Sequence, residues 1–194
     1  MLVEEFQPEP SWRDLTLSIE QVIRLGLRWL PAITALSFIP YFVLHGLPDV
    51  SWPDSVGAAL LRGLIWIVVA VLIYGVSALF HEIIHVVGMI SFAQVPLASI
   101  RFGFRPRDGV LYVHTDEPMS ARAYQSVLLL PAVVQGILPV AFGSVFGIGW
   151  LVLYGYIMLL SAIGDLAVFQ LIHHLESQDL VRDHPTAVGC QVWR

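Results

Sequence analysis

Residues 81–85 read His-Glu-Ile-Ile-His. On a helix, His81 and His85 stand one turn apart on the same face, so their imidazole nitrogens can meet on one metal ion. Zinc accepts such donors, and Glu82 beside them can serve as general base toward a metal-activated water without being a ligand. The stretch lies inside one of the most apolar runs of the chain. Three titratable side chains are costly in such surroundings, which favours use over accident. A bundle helix whose two histidines only hydrogen-bond to neighbours is the alternative without a metal.

The composition indicates what must position these residues. The chain has 194 residues, 57 % hydrophobic and 13 % charged, with a mean hydropathy of +0.75. These values describe a multi-span membrane protein rather than a soluble domain. The formal net charge is −5. The acids gather near the N-terminus, in one short loop and in the C-terminal segment, so no nucleic-acid surface is indicated. All ten basic residues are arginine, and the chain has neither Lys nor Asn. The single cysteine, Cys190, excludes an internal disulfide. Residues 1–10 are acidic with two prolines and do not resemble the basic start of a cleaved signal peptide, so the first apolar segment is expected to be retained.

The expected fold is an all-α membrane protein of about four transmembrane helices, with a small β-hairpin between the second and third. Residues 1–28 are expected to hold a tail and then a helix capped by Ser11, either amphipathic and interfacial or a simple extension of the first span, with Trp12, Leu15, Ile19, Val22 and Ile23 on one side. Residues 29–175 form the four-span domain. The first span lies near Trp29–Leu47 and contains Pro31 and Pro40; the second runs from Val56 to about Ile90. Ile100, Phe102 and Phe104 alternate with Arg101, Gly103 and Arg105, and Pro106-Arg107-Asp108-Gly109 is a turn signal before Val110–Val113. That pattern predicts a hairpin over 99–114 turning at Arg107–Gly109. The third span follows a Ser120 cap from Ala121 to about Phe146, interrupted by Pro131, Gly136 and Pro139. The fourth covers about Trp150–Leu175, and residues 176–194 are expected to be a polar tail.

Arginine placement gives an orientation. Arg13, Arg24 and Arg28 precede the first span, Arg101, Arg105, Arg107 and Arg122 lie between the second and third, and Arg182 and Arg194 lie in the tail, whereas the two loops on the other side have none apart from Arg62 near the start of the second span. The positive-inside rule then places both termini and the hairpin in the cytoplasm of a multi-pass cell-membrane protein.

A catalytic zinc takes three protein ligands and leaves a fourth position open. Asp165 is the single acid within the fourth span, where an unpaired carboxylate is costly. Both the second and fourth spans run toward the cytoplasm in this topology, so Asp165 is the leading third ligand. His173 and His174 compete for the role two turns further on; His114 on the hairpin is a weaker candidate, and His45 belongs near the opposite face. Ser161, one turn before Asp165, and Gln135 in the third span are polar residues that can orient a ligand or only hydrogen-bond within the bundle.

These motifs carry a resemblance. His81-Glu82-Ile83-Ile84-His85 followed by Ile100-Arg101-Phe102-Gly103-Phe104, with Leu130-Pro131, Gly164-Asp165, Asp183-His184-Pro185 and Gly189-Cys190, resembles the zincin-peptidase family of membrane proteins over about residues 77–192. That family is in turn similar to the site-2 class of intramembrane metalloproteases. The resemblance implies one zinc ion on His81, His85 and Asp165, with Glu82 as general base. The site-2 pattern reads Leu-Asp-Gly at its third ligand with an upstream Asn. Here the aspartate follows a glycine and no Asn is present, so substrate positioning differs.

The leading function is therefore a zinc-dependent intramembrane peptidase acting on a membrane-protein or peptide substrate within the lipid bilayer, with no nucleic-acid partner. The alternative is a non-catalytic metal-binding membrane protein: a transporter subunit, a sensor or a scaffold. A binding-only site has no need of Glu82. A membrane di-iron oxidase would need more His clusters than seven histidines supply.

Overall fold

Capping side chains set where the long helices begin. The computed structural model describes residues 11–48, 53, 55–105 and 110–193. Helix α1 (Ile19–His45) starts at Ser18, whose Oγ accepts the Gln21 N–H while the Gln21 side chain accepts the Ser18 N–H. Each orphan donor is thereby satisfied by the other residue. Helix α2 (Val56–Ala93) starts at Ser55 and ends at Gln94, which is left-handed at φ 56°. Helix α3 (Ala121–Pro131) is capped by Ser120, as the spacing predicts. It runs through a π-helical turn, Ala132–Ile137, into α4 (Leu138–Phe146). Pro139 has no N–H to return to the Gln135 carbonyl, and the widened turn sits just before it.

α1, α2 and the continuous α3–α4 segment have 27, 38 and 26 residues and are long and apolar enough to cross a membrane. Helices α5 (Gly149–Ser161) and α6 (Ile163–Ile172) form a pair bent by 51° at Ala162. Most of α1, and α2 up to the histidine pair, exposes large apolar side chains, as a lipid-facing surface requires. Trp66 of α2 stacks on Trp150 at the start of α5, with ring centroids 4.9 Å apart.

Strands β2 (Ile100–Arg105) and β3 (Val110–Thr115) pair antiparallel, Ile100 opposite Thr115 and Arg105 opposite Val110. The expected turn at Arg107–Gly109 lies outside the described residues. The chain is not all-α beyond this ribbon. Strands β1 (Trp12–Leu17), β4 (Met119–Ser120), β5 (Leu180–Asp183) and β6 (Val188–Trp193) form a four-stranded antiparallel sheet in the order β1-β6-β5-β4.

This sheet corrects two expectations. Trp12–Leu17 is a strand and not the start of an amphipathic helix, and the cap is Ser18 rather than Ser11. Its partner is β6, Trp12 opposite Trp193 and Leu15 opposite Cys190. The apolar residues at 12, 15, 19, 22 and 23 also fit a helical period, and the decisive pairing lies at the other end of the chain. Residues 176–194 are likewise no polar tail: Val181, Cys190 and Val192 are buried in one core with Tyr124, Val127 and Ile172. Burial pushes the Cys190 thiol up to about 12.

The sheet ties the N-terminal strand, the short strand that leads into α3 and the C-terminal strands to one end of the helix bundle. At Gly189, where φ is 142°, a Cβ would overlap the Leu15 carbonyl of β1. Within the bundle, a Cβ on Gly155 would sit 2.6 Å from the Gly136 carbonyl oxygen and 2.9 Å from the Val140 nitrogen. Both are backbone atoms that cannot rotate away. Gly155→Ala is therefore expected to destabilise the α4–α5 pair by about 1–3 kcal/mol. Thermal unfolding in detergent checks this, and an unchanged midpoint would mean that the helices separate without cost.

Candidate metal centre

His81 and His85 project from one face of α2, their ring centroids 4.9 Å apart. The break at Ala162 starts a new helix, and Asp165 lies in the first turn of α6, where the positive end of a helix favours a carboxylate. Asp165 Oδ2 lies 2.9 Å from His81 Nε2 and 3.5 Å from His85 Nε2. The three residues each offer a ligand atom within 4.8 Å of the others. Tetrahedral zinc with bonds of about 2.05 Å sets its ligand atoms about 3.3 Å apart, and the two imidazole–carboxylate distances bracket that spacing.

The tautomer of His85 follows from its neighbour. His85 Nδ1 lies 3.1 Å from the Val127 carbonyl oxygen in α3. A carbonyl only accepts, so Nδ1 carries a proton, which leaves Nε2 as the ring nitrogen that can serve a metal ion. This is the outer hydrogen bond that metal-bound histidines make. His81 Nδ1 is buried with no hydrogen-bond partner among the described residues; its Nε2 is the atom facing Asp165. The donor set fits zinc.

Glu82 is partly buried and stands outside the trio, on the wall of a cleft of about 620 Å³ that also holds His81, His85 and Asp165. Val113 of the hairpin lines the same cleft. The cleft is walled by α2, the α5–α6 bend, the hairpin and the β5–β6 segment. Ser161 lines it at the bend. Gln135 donates to the Ser77 carbonyl at 3.1 Å and to the Tyr154 hydroxyl at 3.3 Å, and so braces α2 one turn before His81.

The other histidines do not join the trio. Exposed His173 donates from Nδ1 to the Gln170 carbonyl at 2.6 Å, and exposed His174 lies beside it. His114 pairs with Asp116 at 3.0 Å, and this bond holds the Asp116 carboxyl below its ordinary range. His45 reaches the Ser144 carbonyl at 2.8 Å, at the end of α1 remote from the sheet.

Sequence reasoning missed the groups that hold the hairpin and the histidines in place. Asp183 accepts the Tyr124 hydroxyl proton at 2.8 Å and the Thr115 N–H at 3.1 Å, with His114 Nδ1 3.8 Å away. One carboxylate thereby joins β5, α3 and β3 beside the cleft. Burial pushes the Asp183 carboxyl up, while the Tyr124 and Thr115 donors act in the opposite sense. The Asp183-His184-Pro185 motif was a signal for it. Tyr124 and Val127 had none of their own.

Residues 74–179 match the model of a family described as "putative zincin peptidase". No curated protein and no solved structure matches the chain. The match spans more than half of the 194 residues and contains the whole metal trio together with Glu82; the chain belongs to this zincin-peptidase family.

Proposed function

We propose that this protein is a zinc-dependent intramembrane peptidase of site-2 type, with His81, His85 and Asp165 holding one zinc ion and Glu82 acting as general base. One observation carries the reading: a convergent two-imidazole, one-carboxylate set lies beside a separate glutamate in a single cleft between apolar helices. A bound zinc ion would lower the pKa of water toward neutrality and polarise the scissile carbonyl. Glu82 takes the proton of the attacking water and passes it to the leaving amine. The Val127 carbonyl keeps the His85 ring oriented, and the hairpin closes one wall of the cleft over Glu82.

A membrane helix resists cleavage because its carbonyls are bonded internally, so the substrate must be unwound at the scissile bond. The hairpin is the element suited to hold an extended segment as an added strand. A membrane-proteome comparison tests the reading: fragments made by the wild-type protein should disappear with Glu82→Gln. Fragment sets that do not differ, with the cellular phenotype kept, would leave a metal-dependent scaffold or sensor.

In this reading the bent α5–α6 pair is the fourth span, and both termini and the hairpin are cytoplasmic. The arginine distribution supports that side. Reporter fusions at Pro53 and Asp108 are expected on opposite faces of the membrane; the same face for both would remove the topology.

A further inference from the structure

We propose that Pro131 is a positioning residue for the metal ligand His85, and that it acts by leaving the Val127 carbonyl free to receive the ring proton of that histidine. The inference rests on the zinc reading above and adds to it a residue on a different helix.

In an uninterrupted α-helix the N–H of residue 131 bonds to the carbonyl of residue 127, four positions back. Proline has no N–H, so this bond does not form. The next donor along the chain does not replace it: the Ala132 N–H goes to the Leu129 carbonyl. The Val127 oxygen instead lies 3.1 Å from His85 Nδ1, at a buried position. A buried carbonyl without a partner would be costly, and so would a buried ring N–H; the pair satisfies both.

The surroundings let the two helices come close enough for the contact. Gly88, nearly one turn beyond His85 on α2, faces Val127 and Leu130 of α3, and a Cβ there would touch the Val127 Cα at 3.4 Å. Pro131 is fully buried. Proline is the least favourable residue in a helix interior, and helix formation alone gives no reason for it at this position. Its consequence is a directed acceptor. With Nδ1–H committed to Val127, Nε2 is the ring nitrogen of His85 left on the side of Asp165 Oδ2, where it can serve a metal ion held between them. The Leu130-Pro131 pair, distant in sequence from the histidines, thereby belongs to the metal centre.

The test uses the full chain purified in detergent, with Pro131→Ala. Three properties are measured: zinc affinity by competition with a chelator, the unfolding midpoint of the zinc-free protein, and the nitrogen shifts of the His85 ring. Alanine restores an N–H that competes for the Val127 carbonyl. Zinc affinity is expected to fall by about 10- to 100-fold, the range for loss of an outer hydrogen bond to a ligand. His85 should show a mixture of ring tautomers, while the zinc-free midpoint reads the balance between the added helix hydrogen bond and the lost proline bulk and released ring N–H. A purely structural proline predicts weaker zinc binding with the His85 ring tautomer unchanged, and that result overturns the proposal. Unchanged zinc affinity also overturns it. Pro131→Val, which carries an N–H and more of the lost bulk, replaces the alanine variant if that does not purify. A wild-type protein that binds no zinc overturns the peptidase reading and this proposal together, whereas wild-type and Pro131→Ala proteins that bind it equally overturn this proposal alone.

Discussion

Glu82→Gln is expected to retain zinc at the wild-type level and to lose cleavage by a factor of about 10²–10⁴. The change keeps the shape of the side chain and removes its basicity. Glu82 lies outside the trio of convergent donors, so the metal has no reason to leave. It lies on the same cleft wall as His81 and His85, so the lost proton acceptor is felt at the reacting centre. The two measurements separate chemistry from binding: metal content of the purified variant, and fragments of membrane proteins in cells that carry it. Loss of zinc would make Glu82 a ligand. Undiminished cleavage would require a base elsewhere in the cleft.

The second large effect belongs to the trio itself. His81→Ala removes one of the three proposed ligands, and a two-ligand site holds zinc poorly. Its affinity should fall by more than the roughly 10- to 100-fold typical of an outer-shell loss. Asp165→Asn should act in the same direction, because the neutral amide gives up the anionic oxygen now 2.9 and 3.5 Å from the two imidazoles. His174→Ala serves as the control: that side chain is exposed and lies outside the trio, and its loss should leave zinc content unchanged. A variant pair with the reverse behaviour would move the third ligand to the end of α6. Chelator titration of each purified protein reads the difference directly.

The sequence by itself determined those features whose physics is local. The pairing of His81 with His85 follows from the pitch of one helix, and the membrane character of α1, α2 and α3–α4 follows from runs of apolar residues. Ser120 capped α3 as expected, because a cap involves residues only three apart. Asp165 was legible for a different reason: a lone acid in an apolar segment needs a partner, and few were on offer. Tertiary structure decided everything that depends on contacts between distant residues. Trp12–Leu17 has a period that fits a helix as well as a strand, and only its alignment with Val188–Trp193 selects the strand. The same pairing turns the C-terminal segment from a tail into part of the core. Asp183 meets Thr115 and Tyr124 only because β5 packs between the hairpin and α3. Pro131 shows in the sequence as an interruption of the third span, and its missing N–H leaves the Val127 carbonyl without its helical donor. Which side chain takes that carbonyl was decided by the close approach of α2 at Gly88, which brings the His85 ring to it.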